Sequence, residues 1–120
     1  MSQRILLVDD AIIIRLILKK ILTEAGYEIA GEASNGAEAV HKYRELRPDL
    51  VTMDITMPEM GGISSLKMIK EFDPNAKVVI CSAMGQKSLI MEAMQAGAVS
   101  FITKPFDEFK VLETIKKALE

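Results

Sequence analysis

Short runs of consecutive apolar, often β-branched residues alternate along this chain with longer segments whose apolar positions return every three or four residues. The runs cover 4–8, 50–53, 77–81 and 99–103, with a weaker one at 27–32, and each reads as a β-strand. The helix-period segments cover 12–25, 37–46, 63–72, 87–96 and 108–119. Strict strand–helix alternation of this kind predicts an α/β domain built on a parallel sheet. Turn residues agree with it. Gly26 and Gly97 fall just after helical segments, Asn35 and Gly36 open the second helix, and Pro48, Pro58, Pro74 and Pro105 all lie between elements.

Runs as continuously apolar as ILLV and VVIC suit central strands covered by helices on both faces, which makes the sheet doubly wound. In such sheets ligands bind beyond the carboxyl ends of the strands. The residues at those ends are Asp9 and Asp10 after the first strand, Asp54 after the third, Ser82 after the fourth and Lys104 after the fifth. The topology predicts that they meet at one rim. Asp54 stands out because it interrupts VTMDITM, a run that otherwise reads as buried strand, and a lone buried carboxylate is kept only when paired or metal-bound.

Two carboxylates about 5 Å apart repel by about 3 kcal/mol at an effective dielectric of 20, so a triple cluster calls for a counter-cation or raised pKa values. A hard divalent ion such as Mg²⁺ suits all-oxygen ligands. With Lys104 as a fixed positive charge and Ser82 as a hydroxyl donor, the set could surround a phosphoryl group, and Asp54 would be its nucleophilic acceptor.

Composition narrows the partners. A chain of 120 residues reads as one domain, 1–120, with enough apolar sequence to bury a core unaided. The formal charge of −2 comes without a basic stripe, which argues against nucleic acid. Cys81 has no partner for a disulfide and reads as a buried, inert thiol in a cytoplasmic protein. The stretch MSQRILLVDD lacks the h-region expected of a signal peptide, and the most apolar stretch is broken by Arg15, Lys19 and Lys20, so membrane insertion is not expected. On the first helix, Ile14, Ile17, Ile21 and Ala25 are expected to face inward and Ile12, Leu16, Lys19 and Thr23 outward. Apolar groups left exposed there, beside the acidic rim, would suit a docking kinase or phosphotransfer helix.

In register along nearly the whole chain, LLVDD, VTMDITMPEMGG, ICSAMGQ, AGAVSF and TKPF are similar to the motifs of response regulator receiver domains. DITMPEM and CSAMGQ resemble the stand-alone chemotaxis regulators of that family. The resemblance implies a flavodoxin-like (βα)5 fold with strand order 2-1-3-4-5. It implies that a chemotaxis histidine kinase phosphorylates Asp54, and that Asp10, Asp54 and the backbone carbonyl of Thr56 hold Mg²⁺, with Asp9 acting through a bound water. Ser82 would swing toward the phosphoryl group, Phe101 would change rotamer with it, Lys104 would bind a phosphoryl oxygen, and the peptide before Pro105 would be cis. The output partner would be the flagellar motor switch protein, met by a monomer through the fourth helix, fifth strand and fifth helix, and a phosphatase could reset the switch. Thr56 and Met84 would tune the phosphate lifetime.

Three alternatives stay open. A phosphorelay intermediate or another single-domain response regulator would share every motif. A Mg²⁺-dependent phosphatase working through an aspartyl phosphate would typically carry a second acid two residues past the nucleophile, where this chain has Thr56. A flavin or nucleotide module would need a Gly/Ser/Thr phosphate loop where this chain has Asp9, Asp10 and Ala11.

Overall fold

The computed structural model describes residues 2–120. Strands β1 (Arg4–Val8), β2 (Glu28–Ala33), β3 (Leu50–Asp54), β4 (Val78–Ser82) and β5 (Ser100–Thr103) alternate with helices α1 (Ile12–Glu24), α2 (Gly36–Leu46), α3 (Gly62–Phe72), α4 (Lys87–Gln95) and α5 (Glu108–Leu119). The strands form one sheet of order β2-β1-β3-β4-β5, parallel throughout. This is the doubly wound, flavodoxin-like fold, with the chain reversing direction of travel beside β1.

Alternation along the strands divides the core in two. Ile5, Leu7, Leu50, Val79, Cys81 and Ile102 pack against Leu18 and Leu22 of α1 and Val111 and Ile115 of α5. The intervening residues, Leu6, Val8, Val51, Met53, Val78 and Ile80, pack against α2, α3 and α4 through Val40, Tyr43, Leu66, Ile69 and Ala93. All five residues of β3 and of β4 are buried, as central strands with both faces covered require.

Local chemistry fixes the joints. Asn35 Oδ1 accepts from the Glu38 N–H at 2.8 Å while Glu38 returns a carboxylate to the Ser34 N–H at 2.7 Å, so both start α2. Asp107 caps α5 by accepting from Phe109 and Lys110. Gly26 and Gly97 take φ of 96° and 111° at helix exits, the left-handed conformation their positions predict.

Three details depart from the sequence reading. Asp54 and Ser82 are the last residues of their strands rather than the first beyond them. The edge strand β2 runs one residue later than expected, over Glu28–Ala33, and its register with β1 shifts between Ile5 and Leu6. On α1 the buried positions are Leu18 and Leu22, while Ile17 and Ala25 are exposed. The isoleucines and leucines of this helix occupy more than one face, so periodicity alone does not set its phase; the packing partners Ile5, Leu7 and Ile115 do.

Candidate functional site

The carboxyl ends of β1, β3 and β5 bring Asp9, Asp10, Asp54 and Lys104 together at one rim of the sheet. A carboxylate oxygen from each of the three aspartates lies within 4.8 Å of the other two. Lys104 Nζ donates to Asp9 Oδ2 at 2.9 Å and to Asp54 Oδ1 at 3.2 Å, spanning 95 and 50 residues of sequence. Asp9 and Asp54 are buried, at 2% and 6% exposure, and Asp10 is open to solvent. One ammonium thus serves two buried acids with a third beside them.

The charges read out this imbalance. Burial, reinforced by the charge of Asp9, pushes Asp54 up to about 6, against the opposing pull of Lys104. Burial alone would lower Lys104, but its hydrogen bond to Asp9 and the charge of Asp54 outweigh that and hold it above its ordinary value. Burial also pushes the Cys81 thiol up to about 12, so it remains protonated and inert beneath the site. Three hard oxygen donors, two of them sharing a single positive charge, fit a hard divalent cation such as Mg²⁺.

The acids are held by the backbone around them. Asp9 Oδ1 accepts from the Ala11 N–H at 2.9 Å, and the Arg15 guanidinium donates to the Asp9 carbonyl while also bonding Glu32 on β2 at 2.9 Å. Asp54 is pinned from the other side by Gly62, where an added Cβ would stand 2.1 Å from the Asp54 carbonyl oxygen. A glycine is needed there because backbone meets backbone. At the end of β4, the Ser82 hydroxyl is wholly buried and has no hydrogen-bond partner among the described residues; the same holds for Thr52 Oγ1 on β3. A buried hydroxyl without an acceptor is rare and marks a donor with capacity in reserve.

The remaining residues singled out in the sequence lie around this rim. Thr56 is exposed, and its hydroxyl accepts from the Gln86 side chain at 2.9 Å. Met84 is 83% exposed. The Lys104–Pro105 peptide is cis. Phe101 stands outside the cluster, 44% exposed, with Lys87, Ile90, Met91, Met94 and Gln95 around an apolar groove of about 470 Å³. Neither Asp9 nor Ser82 acts as a helix cap: the N-cap residues of α1 and α4 are Ala11 and Gln86, neither with a side-chain cap bond. Arg15 lies in no motif, and Gln86, although it ends ICSAMGQ, is given no role by it. Arg15 follows a run of isoleucines and Gln86 a loop glycine, and their partners are identified only once the strands are aligned.

Toward the start of α1, Ile12, Ile13, Leu16 and Ile17 form an apolar strip, between 41% and 66% exposed. Among the described residues no helix is long and apolar enough to cross a membrane.

Comparison with known proteins places these observations. The model of the response regulator receiver domain matches residues 5–116. The chain is 59% identical over 117 residues to the chemotaxis protein CheY of Thermotoga maritima, covering 98% of both chains. It is 57% identical over 119 residues to CheY of Bacillus subtilis, covering 99% of each. Among solved structures it is similar to the CheX–CheY–BeF₃–Mg²⁺ complex of Borrelia burgdorferi, with a TM-score of 0.94 at 41% identity, covering 98% of this chain and 90% of that one.

Proposed function

The chain belongs to the response regulator receiver domain family and is of the CheY type of chemotaxis regulator, and from that premise we propose that it is a switch driven by phosphorylation of Asp54. The observation that carries the proposal is the shared ammonium: Lys104 bridges the buried Asp9 and Asp54 in a site that also contains Asp10. No core-packing or capping role accounts for three acids and a lysine drawn from three strand ends.

The Asp54 carboxylate attacks the phosphorus of a phosphohistidine on the kinase. A P–O bond forms as the P–N bond breaks, and the leaving imidazole takes up a proton. With its carboxyl at about 6, Asp54 is largely ionised near neutrality, as a nucleophile must be. Asp10, Asp54 and the carbonyl of Thr56 would hold Mg²⁺ directly, with Asp9 reaching it through water. The ion supplies charge neutralisation for the acids and the incoming phosphoryl oxygens. Lys104 turns from its carboxylate partners to a phosphoryl oxygen, and the spare donor of Ser82 reaches another.

These new bonds favour a conformation that the output partner also favours, so phosphorylation acts by population shift. A coupling of about 1–3 kcal/mol changes partner affinity about 5- to 150-fold. The groove formed by α4 and Phe101, with its exposed Met91 and Met94, supports output through α4, β5 and α5, and the rotamer of Phe101 would follow Ser82. By kinship with chemotaxis regulators the kinase is a chemotaxis histidine kinase and the target the flagellar motor switch protein, with a phosphatase resetting a monomeric, cytoplasmic receiver spanning 1–120. The strip on α1 beside the acidic rim suits the kinase or its phosphotransfer helix.

Incubation with acetyl phosphate and Mg²⁺ tests the reading. Intact-mass analysis is expected to show one added phosphoryl group, labile to alkali and to hydroxylamine, absent from Asp54→Asn; equal labelling of that variant refutes Asp54 as acceptor.

A further inference from the structure

The side chain of Gln86 joins the two loops that flank Asp54 and Ser82. Its Oε1 accepts from the Ala83 N–H at 2.8 Å, and its Nε2 donates to Thr56 Oγ1 at 2.9 Å. Ala83 follows Ser82 directly, and Thr56 lies two residues past Asp54. One primary amide therefore ties the exit of β4 to the exit of β3. Gly85, at φ 85°, makes the reversal that brings Gln86 back over Ala83, a conformation natural to glycine.

The strand ends explain why this tie exists. The carbonyls of Cys81 and Ser82 are taken by the N–H groups of Ile55 and Lys104, which completes the ladder on either side of β4. The Ala83 N–H lies one residue past that ladder and finds its acceptor in Gln86. It is also the next main-chain donor beyond the Ser82 hydroxyl, at the rim where a phosphoryl group on Asp54 would project three oxygens. In the resting protein this donor is occupied.

We propose that Gln86 is a displaceable latch: its amide holds the Ala83 N–H and the Thr56 hydroxyl in the resting arrangement, and a phosphoryl group on Asp54 must take the Ala83 donor away from it. This rests on the reading of Asp54 as phosphoacceptor. Gln86 makes no hydrogen bond to Asp9, Asp10 or Asp54, so it is a positioning residue that sets the balance between resting and phosphoryl-bound loops. Its one bond to a residue of the metal set goes to the Thr56 hydroxyl and not to the carbonyl that would face Mg²⁺, so removing it frees the donor and raises affinity for the phosphoryl group while leaving the ligating oxygens in place.

The test is a titration of the whole chain with beryllofluoride in saturating Mg²⁺, and separately with Mg²⁺ alone, for wild type and Gln86→Ala. Beryllofluoride stands in for the phosphoryl group. The variant is expected to bind it about 3- to 10-fold more tightly, the worth of roughly one hydrogen bond, with Mg²⁺ affinity unchanged. In the metal-free state, the Ala83 amide should exchange its hydrogen faster in the variant than in wild type. A residue that merely braced the loops would weaken binding when removed, so the sign separates the two roles. Unchanged or weaker beryllofluoride binding in the variant, or an equal gain for Mg²⁺ alone, overturns the latch and leaves the phosphoacceptor intact. Failure of wild type itself to bind beryllofluoride overturns the phosphoacceptor reading, and the latch with it.

Discussion

The ammonium of Lys104 lies 3.2 Å from the carboxylate of Asp54, yet its shorter bond, at 2.9 Å, goes to Asp9. The lysine is therefore a counter-ion for the whole acidic rim and not the private partner of one acid. Replacing it with an isosteric neutral residue, Lys104→Met, leaves two buried carboxylates facing each other. Such a loss is expected to destabilise the metal-free protein by about 3 kcal/mol, at the lower end for a broken buried pair because Lys104 is partly exposed. Mg²⁺ in millimolar excess should restore much of that, because it replaces the missing charge. Urea unfolding with and without the ion measures both; a variant as stable as wild type without Mg²⁺ would show that Lys104 neutralises nothing.

Asp54 itself should be a stability liability in the absence of metal. Its carboxyl in the folded protein titrates at about 6 against an ordinary 3.8, so between those values the folded state binds the proton more tightly than the unfolded chain. The contribution is full below about pH 4 and is lost as pH rises through 6. Asp54→Asn removes the titration and is expected to be about 1–3 kcal/mol more stable than wild type at pH 7, with the difference vanishing near pH 4. Unfolding midpoints across that range decide it. A variant less stable than wild type at pH 7 would mean that Lys104 outweighs burial and repulsion together.

Much of this was legible in the sequence because central parallel strands declare themselves. ILLV and VVIC are continuous apolar runs, LVTM is nearly one, and once their order in the chain is read, the acids and lysine at the strand ends fall on one edge. What stayed hidden depends on tertiary phase. The face of α1 is set by packing of Leu18 and Leu22, because its isoleucines and leucines occupy more than one face and leave the phase open. The end of α2 lacks a glycine; Arg47 takes φ 48° there, with its guanidinium 4.6 Å from the Phe72 ring. Gln86 and Arg15 act through partners 30 and 17 residues away, which no local spacing encodes.

Tyr43 and Asp73 make a second testable pair, far from the acidic rim. The Tyr43 hydroxyl, on a ring only 3% exposed, donates to Asp73 Oδ2 at 2.8 Å, tying α2 to the end of α3. That bond, with the Asn75 N–H, holds the Asp73 carboxyl below its ordinary value. A lowered value stabilises the fold above the ordinary carboxylate range and is lost as pH falls through it. Tyr43→Phe, which keeps the edge-to-face contact with Phe72, should cost about 1 kcal/mol at pH 7 and less below pH 4. A pH-independent loss would assign the effect to packing.

Gly61 and Gly62 are neighbours with opposite tolerances. A Cβ at Gly62 would meet the Asp54 carbonyl at 2.1 Å and Ile55 Cα at 2.9 Å, both backbone atoms with no side chain free to yield. At Gly61 the nearest atom is 3.6 Å away, an ordinary contact. Gly62→Ala is expected to cost about 3 kcal/mol and to weaken Mg²⁺ binding by moving Asp54, whereas Gly61→Ala should be near neutral in both. Thermal unfolding and metal titration of the two variants side by side give the contrast, and equal losses would refute it.

The lifetime of the phosphorylated state should be set by what stands next to the attacking water. Met84, two residues past Ser82 and 83% exposed, offers a thioether that neither donates nor strongly accepts. The Thr56 hydroxyl, its counterpart past Asp54, already accepts a bond from Gln86. Met84 cannot aim a water at the phosphorus, so autodephosphorylation is expected to be slow, with an aspartyl phosphate that outlasts seconds. Met84→Asn supplies an amide that can orient that water and should shorten the lifetime by about 10-fold, short of what a full general base contributes. A phosphate-release time course after removal of the donor measures both, and a wild-type lifetime of seconds or less would mean that a group other than these two positions the water.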